Sequence, residues 1–332
     1  MHLRQPIIDK FDRTHRNLRI SVTDRCNIRC VYCMPEDVTF LPSSEVLSFE
    51  EIERIVRLMV EMGINRVRLT GGEPLVRREL WRLIEALKSI DGLDDIAMTT
   101  NGILLEKHAA DLKRAGLDRL NISLDTVDRE QFKQLTRRDE LDRALAGIAA
   151  AKDVGFENTR INAVSIAGIT EQEVVPLAKF CRENSLELRF IEFMPLDGDQ
   201  NWQTGQVLTG ETLRTIIESE ICNLRPAPRT WDAQPATDFE YVDGHGSVGF
   251  INPVSSPFCS KCDRLRLTAE GKLRNCLFSV AEWDLRNAIR GGKTNDEIDS
   301  LIRECVQAKK AGHGIDSSEF ERPERAMYQI GG

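Results

Sequence analysis

From Leu18 to Met194 the chain alternates short β-rich runs with amphipathic helical runs, and that order confines it to the α/β class. The strand candidates are "LRISVT", "RVRLT", "IAMTT", "LDRLNISL", "RINAVSI" and "LELRFIEFM". Between the first two lies "SFEEIERIVRLMVEMG". Ser48 and Glu51 fit a capping box there, Ile52, Ile55, Val56, Met59 and Val60 fall at helical spacing, and Gly63 marks the stop. Further helices are expected at "RRELWRLIEALKSI", "LLEKHAADLKRAG", "LDRALAGIAAAKDVG" and "TEQEVVPLAKFCRENS", the last opening on a Thr170/Glu173 capping pair. Repeated strand–helix units predict a parallel sheet with right-handed crossovers. Six units make most of a β/α barrel without closing an eightfold one. An open doubly wound sheet has the same local signature, so periodicity leaves both open.

After about residue 195 the pattern changes. Pro and Gly become frequent, helix signals thin out, and "LRLTAEGKLRNCLF" reads as a β-hairpin turning at Glu270-Gly271. A last amphipathic helix, "NDEIDSLIRECVQAKKAG", precedes a tail ending in Gly331-Gly332. The expected organisation is therefore a barrel-like region over residues 1–200 and a substrate-binding α+β extension over 201–332. A net charge of −8 argues against a general nucleic-acid or membrane-surface binder, so an anionic ligand must be met by a local cluster of Arg and Lys. No apolar run approaches a membrane span, and "MHLRQPIIDKFDRTHRNLR" has no signal-peptide core. The expected location is the cytoplasm. Nine cysteines in such a chain point to metal or redox chemistry before disulfides.

Three of those cysteines, Cys26, Cys30 and Cys33, sit in "CNIRCVYC", the loop after the first predicted strand. A structural zinc site wants four protein ligands, and no fourth Cys or His follows within several dozen residues. A four-iron cluster held by three thiolates keeps one iron free for an external chelating ligand. Buried thiols packing as small hydrophobes are the bland alternative, which the polar Arg25, Asn27 and Arg29 disfavour.

This C-x3-C-x2-C spacing, with the aromatic Tyr32 before the third cysteine, resembles the radical S-adenosylmethionine (SAM) signature. The resemblance implies a partial (β/α)6-type barrel, a 4Fe-4S cluster on Cys26, Cys30 and Cys33, and SAM chelated by the open iron. The reduced cluster would cleave SAM to a 5′-deoxyadenosyl radical that takes hydrogen from the substrate. "TGGEP" (Thr70 to Pro74), "TTNG" (Thr99 to Gly102) and "SLD" (Ser123 to Asp125) follow strands two, three and four. They share the C-terminal rim of the sheet, where β/α enzymes build their sites. Gly72 and Glu73 suit the SAM ammonium, and Ser123 and Asp125 its adenosine or methionine part. A simple glycine-rich turn and helix caps are the bland readings of the same residues.

A second group, Cys259, Cys262 and Cys276, is spaced C-x2-C-x13-C. Again there are three thiolates. A zinc knuckle completed by His245, His313 or Cys222 competes here. Arg264, Arg266, Lys272 and Arg274 crowd the same stretch and suit a polyanion such as a triphosphate. The two cysteine groups, "CDRLRLT" and the terminal "IGG" together resemble, from Leu18 to Gly332, the GTP 3′,8-cyclase family of molybdenum cofactor biosynthesis. That resemblance implies a second 4Fe-4S cluster on Cys259, Cys262 and Cys276 whose open iron meets the guanine base of GTP. It implies SAM contacts at Tyr32, Gly72, Ser123 and Met194. GTP contacts fall on Arg19, Arg68, Thr99, Arg160, Arg264, Leu265 and Arg266, and the Gly331-Gly332 tail reaches into the site. Arg160 departs from the Lys expected before the "xNxV" strand; the two cations differ in hydrogen-bonding geometry.

The implied partners are GTP, an electron donor and a separate enzyme that makes the cyclic pyranopterin, and the resemblance allows a homodimer. A peptide-modifying radical enzyme with an auxiliary cluster is the rival, disfavoured by only three C-terminal cysteines. A metal-binding electron carrier is the other, and it leaves the rim motifs unexplained. Cys181, Cys222 and Cys305 have no partners at ligand spacing, and His2, His15, His108, His245 and His313 form no pattern.

Overall fold

A computed structural model describes residues 4–199, 201–315, 317–318 and 320–331; the expectation placed on Gly332 lies outside them. The elements run β1 (Asn17–Ser21), α1 (Phe49–Glu61), β2 (Arg66–Thr70), α2 (Leu80–Lys88), β3 (Asp95–Thr100), α3 (Leu105–Arg114), β4 (Arg119–Ser123), α4 (Arg129–Thr136), α5 (Leu141–Asp153), β5 (Arg160–Ser165), α6 (Thr170–Glu183) and β6 (Glu187–Glu192). Then come α7 (Gly210–Glu220), β7 (Leu224–Pro226), β8 (Thr237–Tyr241), β9 (Ser247–Ile251), β10 (Arg264–Leu267), β11 (Lys272–Arg274), β12 (Trp283–Asp284), α8 (Leu285–Arg290), α9 (Asn295–Gln307) and α10 (Met327–Ile330).

All strands join one open twelve-stranded sheet, ordered β12-β11-β10-β1-β2-β3-β4-β5-β6-β9-β8-β7. Strands β1 to β6 lie side by side in chain order and parallel. A doubly wound sheet reverses its strand order at a switch point; β1 to β6 run without such a reversal, so they form an incomplete barrel. The C-terminal part extends the same sheet at both edges, β10 pairing parallel with β1 and β9 parallel with β6.

The strands alternate with period two, and each parity has its own destination. Leu18, Ile20, Val67, Leu69, Ile96, Met98, Leu120 and Ile122 face the helices and form the core with Ile52, Ile55 and Met59 of α1. Each such side chain contributes about 1.5–3 kcal/mol by leaving water. The other parity faces inward. Parallel partners in register point the same way, so Arg19 stands between Arg68 and Arg266 on the inner wall.

The capping box of α1 forms as expected, with Glu51 N donating to Ser48 Oγ and Ser48 N to Glu51. That of α6 does not. Ile169 is the N-cap residue; Thr170 Oγ1 instead donates to the Val164 carbonyl (3.1 Å) and accepts from Ile166 N (2.9 Å). Glu173 takes the Thr126 hydroxyl at 2.5 Å. The end of β5 and the turn after it take the Thr170 hydroxyl and the distant Thr126 takes Glu173, so neither is left for the cap. The β10–β11 hairpin turns at Thr268–Gly271, where Gly271 N donates to the Thr268 carbonyl and adopts φ +80°.

Candidate active site

The inner wall encloses a cavity of about 290 Å³ lined by both cysteine triads. Cys26, Cys30 and Cys33 follow the C-terminal end of β1. Cys259 and Cys262 precede β10, which runs parallel to β1, and Cys276 follows the antiparallel β11 back to the same end. The triads therefore occupy opposite ends of the strands, separated by a strand length of about 15 Å.

The first triad sits on a loop fixed from several sides. Arg29 N and Val31 N donate to the Thr136 and Leu135 carbonyls at the end of α4, each at 2.9 Å. Gly72 N donates to the Thr23 carbonyl (2.8 Å) and Glu73 N to the Arg25 carbonyl (2.8 Å). A Cβ on Gly72 would lie 2.4 Å from the Arg25 oxygen, so only glycine lets the two loops interlock. Glu73 is 1% exposed and accepts from Asn101 N (2.7 Å), Leu75 N (3.0 Å) and Thr100 Oγ1 (2.8 Å). Burial still raises its carboxyl to about 7. Tyr32 donates its hydroxyl to Asp125 at 2.5 Å, and Asp125 also accepts from Val164 N at 2.8 Å.

Those carboxylates shape the thiols. Burial, then Glu73, pushes Cys26 up to about 11. Burial and Cys26 push Cys33 up to about 12. Burial, Cys33 and Asp125 carry Cys30 well above the usual thiol value.

The second triad has cationic neighbours. Burial raises the Cys262 thiol, but Arg264 and Lys309 outweigh it and leave the group at about 6. Arg264 Nη2 lies 3.5 Å from Cys262 Sγ. Cys259 is raised, chiefly by burial. Of the fourth zinc ligands considered, His313 lines the cavity, but its Nε2 lies 2.8 Å from the Pro253 carbonyl and its Nδ1 accepts from Ile315 N at 3.1 Å. His245 is exposed, and Cys222 packs against the hydrophobic core. Among the described residues no three Cys, His, Asp or Glu side chains gather into a site for a metal ion; each triad lines open cavity wall. Three thiols without a protein fourth ligand, opening on a shared cavity, fit a cluster that keeps one iron for an external ligand.

Arginines form the inner wall between the triads. Arg19 and Arg264 line both the main cavity and a smaller one of about 60 Å³, which Arg66, Arg68, Arg119, Arg160 and Arg189 complete. Arg119 pairs with Asp95, Arg160 with Glu187 at 2.8 Å, and Arg189 with Glu187 and Asp238. Among the described residues Arg19, Arg68 and Arg266 join no ion pair. Burial and then Arg264 lower Arg19 to about 10. Burial and then Arg19 depress both Arg68 and Arg266. Guanidiniums that repel one another form a ready site for a polyanion.

Tyr32, Gly72, Thr99, Ser123, Met194 and Arg266 also line the main cavity. Arg68 and Arg160 face the smaller one. Leu265 points the other way, fully buried against the helices in register with Leu18, so only its backbone is near the cavity. Gly331 is buried and its carbonyl accepts from Arg266 Nη1. Sequence reasoning missed Arg66, Arg119, Arg189, Asn101 and Lys309. The first three share a signal: like Arg19, Arg68 and Arg160, they sit on the inward parity of parallel strands.

Comparison with known proteins agrees with this arrangement. Residues 20–181 match the model of the radical SAM superfamily and residues 186–315 that of Molybdenum Cofactor Synthesis C. The GTP 3′,8-cyclase of Rhodopirellula baltica is 52% identical, covering 98% of this chain and 92% of that protein. The GTP 3′,8-cyclase of Corynebacterium glutamicum is 45% identical, covering 98% and 89%. Among solved structures, Streptococcus suis SuiB bound to S-adenosylmethionine shares the fold at a TM-score of 0.62 with 18% identity, covering 96% of this chain and 77% of that one. The chain belongs to the GTP 3′,8-cyclase family of the radical SAM superfamily.

Proposed function

We propose that the chain is a radical SAM lyase that converts GTP to (8S)-3′,8-cyclo-7,8-dihydroguanosine 5′-triphosphate, early in molybdenum cofactor biosynthesis. The observation that carries this reading is the cavity with a cysteine triad at each end and a wall of arginines outside ion pairs between them, Arg266 buried and Arg19 and Arg68 half-buried. Cys26, Cys30 and Cys33 would hold one 4Fe-4S cluster, and Cys259, Cys262 and Cys276 the other. When bound, the first cluster and SAM supply a hydrogen-abstracting carbon radical, and the second cluster supplies an iron site for the guanine base.

The chain's own residues then do the positioning. The Tyr32–Asp125 pair, Gly72, Ser123 and Met194 hold SAM, with the Glu73 carboxyl near its ammonium. Arg19, Arg68, Arg160, Arg264 and Arg266 neutralise the triphosphate, while Thr99 and the Leu265 backbone complete its pocket. Held by these residues, the ribose C3′–H would be presented to the SAM-derived radical, and proximity would replace acid–base catalysis. The C3′ radical would then add to guanine C8, and the resulting N7-centred radical would take one electron from the electron donor and a proton to give the 7,8-dihydro product, in a space shielded from other hydrogen sources. Arg266 donates to the Gly331 carbonyl, a contact that supports a catalytic role for Gly331 at the substrate; the same role is proposed for Gly332, which lies outside the described residues. In this reading residues 1–200 carry the radical-generating triad and part of the GTP wall, and 201–332 the second triad and the rest of that wall.

No helix among the described residues is long and apolar enough to cross a membrane. The proposal places the enzyme in the cytoplasm, supplied by an electron donor, acting as a homodimer and passing product to a separate enzyme that forms the cyclic pyranopterin. The test is anaerobic turnover of the reconstituted protein with SAM, a strong reductant and GTP deuterated at ribose C3′. Deuterium in 5′-deoxyadenosine is the expected result. Formation of 5′-deoxyadenosine without deuterium overturns the GTP assignment and leaves the radical chemistry standing.

A further inference from the structure

The roles above leave the buried cation Lys309 unused. Lys309, just beyond α9, is 2% exposed. Its Nζ donates to the carbonyl oxygens of Asn275 (2.7 Å) and Arg264 (2.9 Å) and lies 3.7 Å from Cys262 Sγ. Asn275 immediately precedes Cys276, and Arg264 lies two residues beyond Cys262. One ammonium therefore fixes the backbone beside two of the three cysteines of the second triad. A buried ammonium is unfavourable unless acceptors satisfy it; two carbonyls and a thiol do so here.

The third cysteine is braced from the same segment. Arg13 donates to the Cys259 carbonyl (2.7 Å) and to the Lys310 (2.8 Å) and Ala311 (3.1 Å) carbonyls, while Asp9 takes its Nε at 2.7 Å. Asn275 Nδ2 donates to the Cys305 carbonyl of α9 at 2.7 Å. The end of α9, the N-terminal segment and the β10–β11 hairpin all converge on this triad.

Arg264 also brings charge to Cys262, but it lines both cavities and so is free to turn toward a bound anion. Lys309 lines neither, and its charge stays on the protein side of the thiolate. Around the first triad the carboxylates Glu73 and Asp125 outweigh the nearby cation Arg29, which donates to the Cys26 carbonyl.

We propose that Lys309 is a positioning residue of the second triad: it presets the backbone at Cys262 and Cys276 and holds a fixed positive charge against the thiolates. This rests on the reading that the second triad carries a 4Fe-4S cluster. A cation beside a cluster stabilises the added electron, so Lys309 raises the reduction potential of the second cluster.

The test uses the full chain with Cys26, Cys30 and Cys33 replaced by Ala, so that only the second triad loads. Iron per chain, the midpoint of an EPR-monitored reductive titration, and the unfolding temperature of the metal-free protein are measured for this parent and for K309Q, K309M and K309R. K309Q keeps a donor for a carbonyl without the charge. It is expected to load iron with a more negative midpoint, and K309R to restore the midpoint toward the parent. K309M, which loses both functions, is expected to bind the cluster about 10-fold more weakly. A parent-like midpoint in both K309Q and K309M, with full iron, overturns the role of Lys309 alone. A parent that folds but takes up no iron overturns the cluster reading and this inference with it.

Discussion

The two cysteine triads have the same number of thiols and open on the same cavity, yet their surroundings are opposite in sign. Around Cys26, Cys30 and Cys33, burial and then Glu73 and Asp125 push the thiols up and outweigh Arg29, whose guanidinium donates to the Cys26 carbonyl at 2.9 Å. Beside Cys262 stand Arg264 and Lys309, and that thiol falls to about 6. Cysteine count alone would make the sites equivalent. The carboxylates suit a site that receives the ammonium of SAM. The cations suit one that receives a polyanionic nucleotide. The lesson is that the residues behind the ligands, not the ligands, divide the work between the two ends.

The contrast breaks most visibly at the ligands. Cys26→Ala is expected to reduce 5′-deoxyadenosine to background, whereas Cys259→Ala keeps uncoupled SAM cleavage and loses the cyclised product. Anaerobic assay of both products checks this, and equal loss of cleavage in the two variants would remove the division of labour.

The next effect belongs to the anionic end. The folded chain binds the Glu73 proton more tightly than the unfolded chain does, because burial lifts that carboxyl from 4.5 to about 7. Its contribution to stability is therefore complete below pH 4.5 and declines as pH rises to 7, by up to about 3 kcal/mol. Glu73→Gln should flatten that decline in denaturant titrations of the metal-free protein. Equal slopes in parent and variant would show that the carboxyl is not held in its neutral form.

At the cationic end, Arg266→Met removes one buried guanidinium. GTP affinity, measured calorimetrically, should fall by about 10- to 100-fold, matching about 1.5–3 kcal/mol for a charge-assisted contact, while SAM affinity holds. A matching loss of SAM affinity would mean that the charge pattern does not separate the two ligands. The smallest effect is expected outside both triads. Cys181 is 1% exposed in the core, and Cys181→Ala should cost about 1 kcal/mol of stability without changing iron content, as chemical unfolding and iron assay would show.

Six strands, the β10–β11 hairpin and six helices (α1, α2, α3, α5, α6 and α9) were legible because their apolar spacing is regular and most of their partners are sequential neighbours. Helices α4 and α7, and the short α8 and α10, escaped the sequence reading. In α4, Asp128 caps a largely polar helix whose buried face is only Phe132, Leu135 and Thr136. In α7 the apolar face was overshadowed by the Pro- and Gly-rich stretch around it. Both triads were legible from spacing. The inner arginine wall was legible only in part, since Arg119 and Arg189 belong to no motif and meet the others through sheet register. Lys309 was not legible at all, for nothing near it in sequence announces that α9 ends against Cys262. The Thr170 cap failed because Val164, on the strand just before it, takes its hydroxyl.

The parallel pairing of β10 with β1 has a consequence for synthesis. A nascent chain that has emerged only through β6 already carries the first triad, but β1 is still an edge strand, its hydrogen-bonding groups open to any passing partner. The edge is covered only when β10 arrives, bringing Arg266 beside Arg19. Until then the growing polypeptide combines an exposed sheet margin with oxidisable thiols. This makes late translation the interval in which a chaperone, or the absence of oxygen, matters most to its survival.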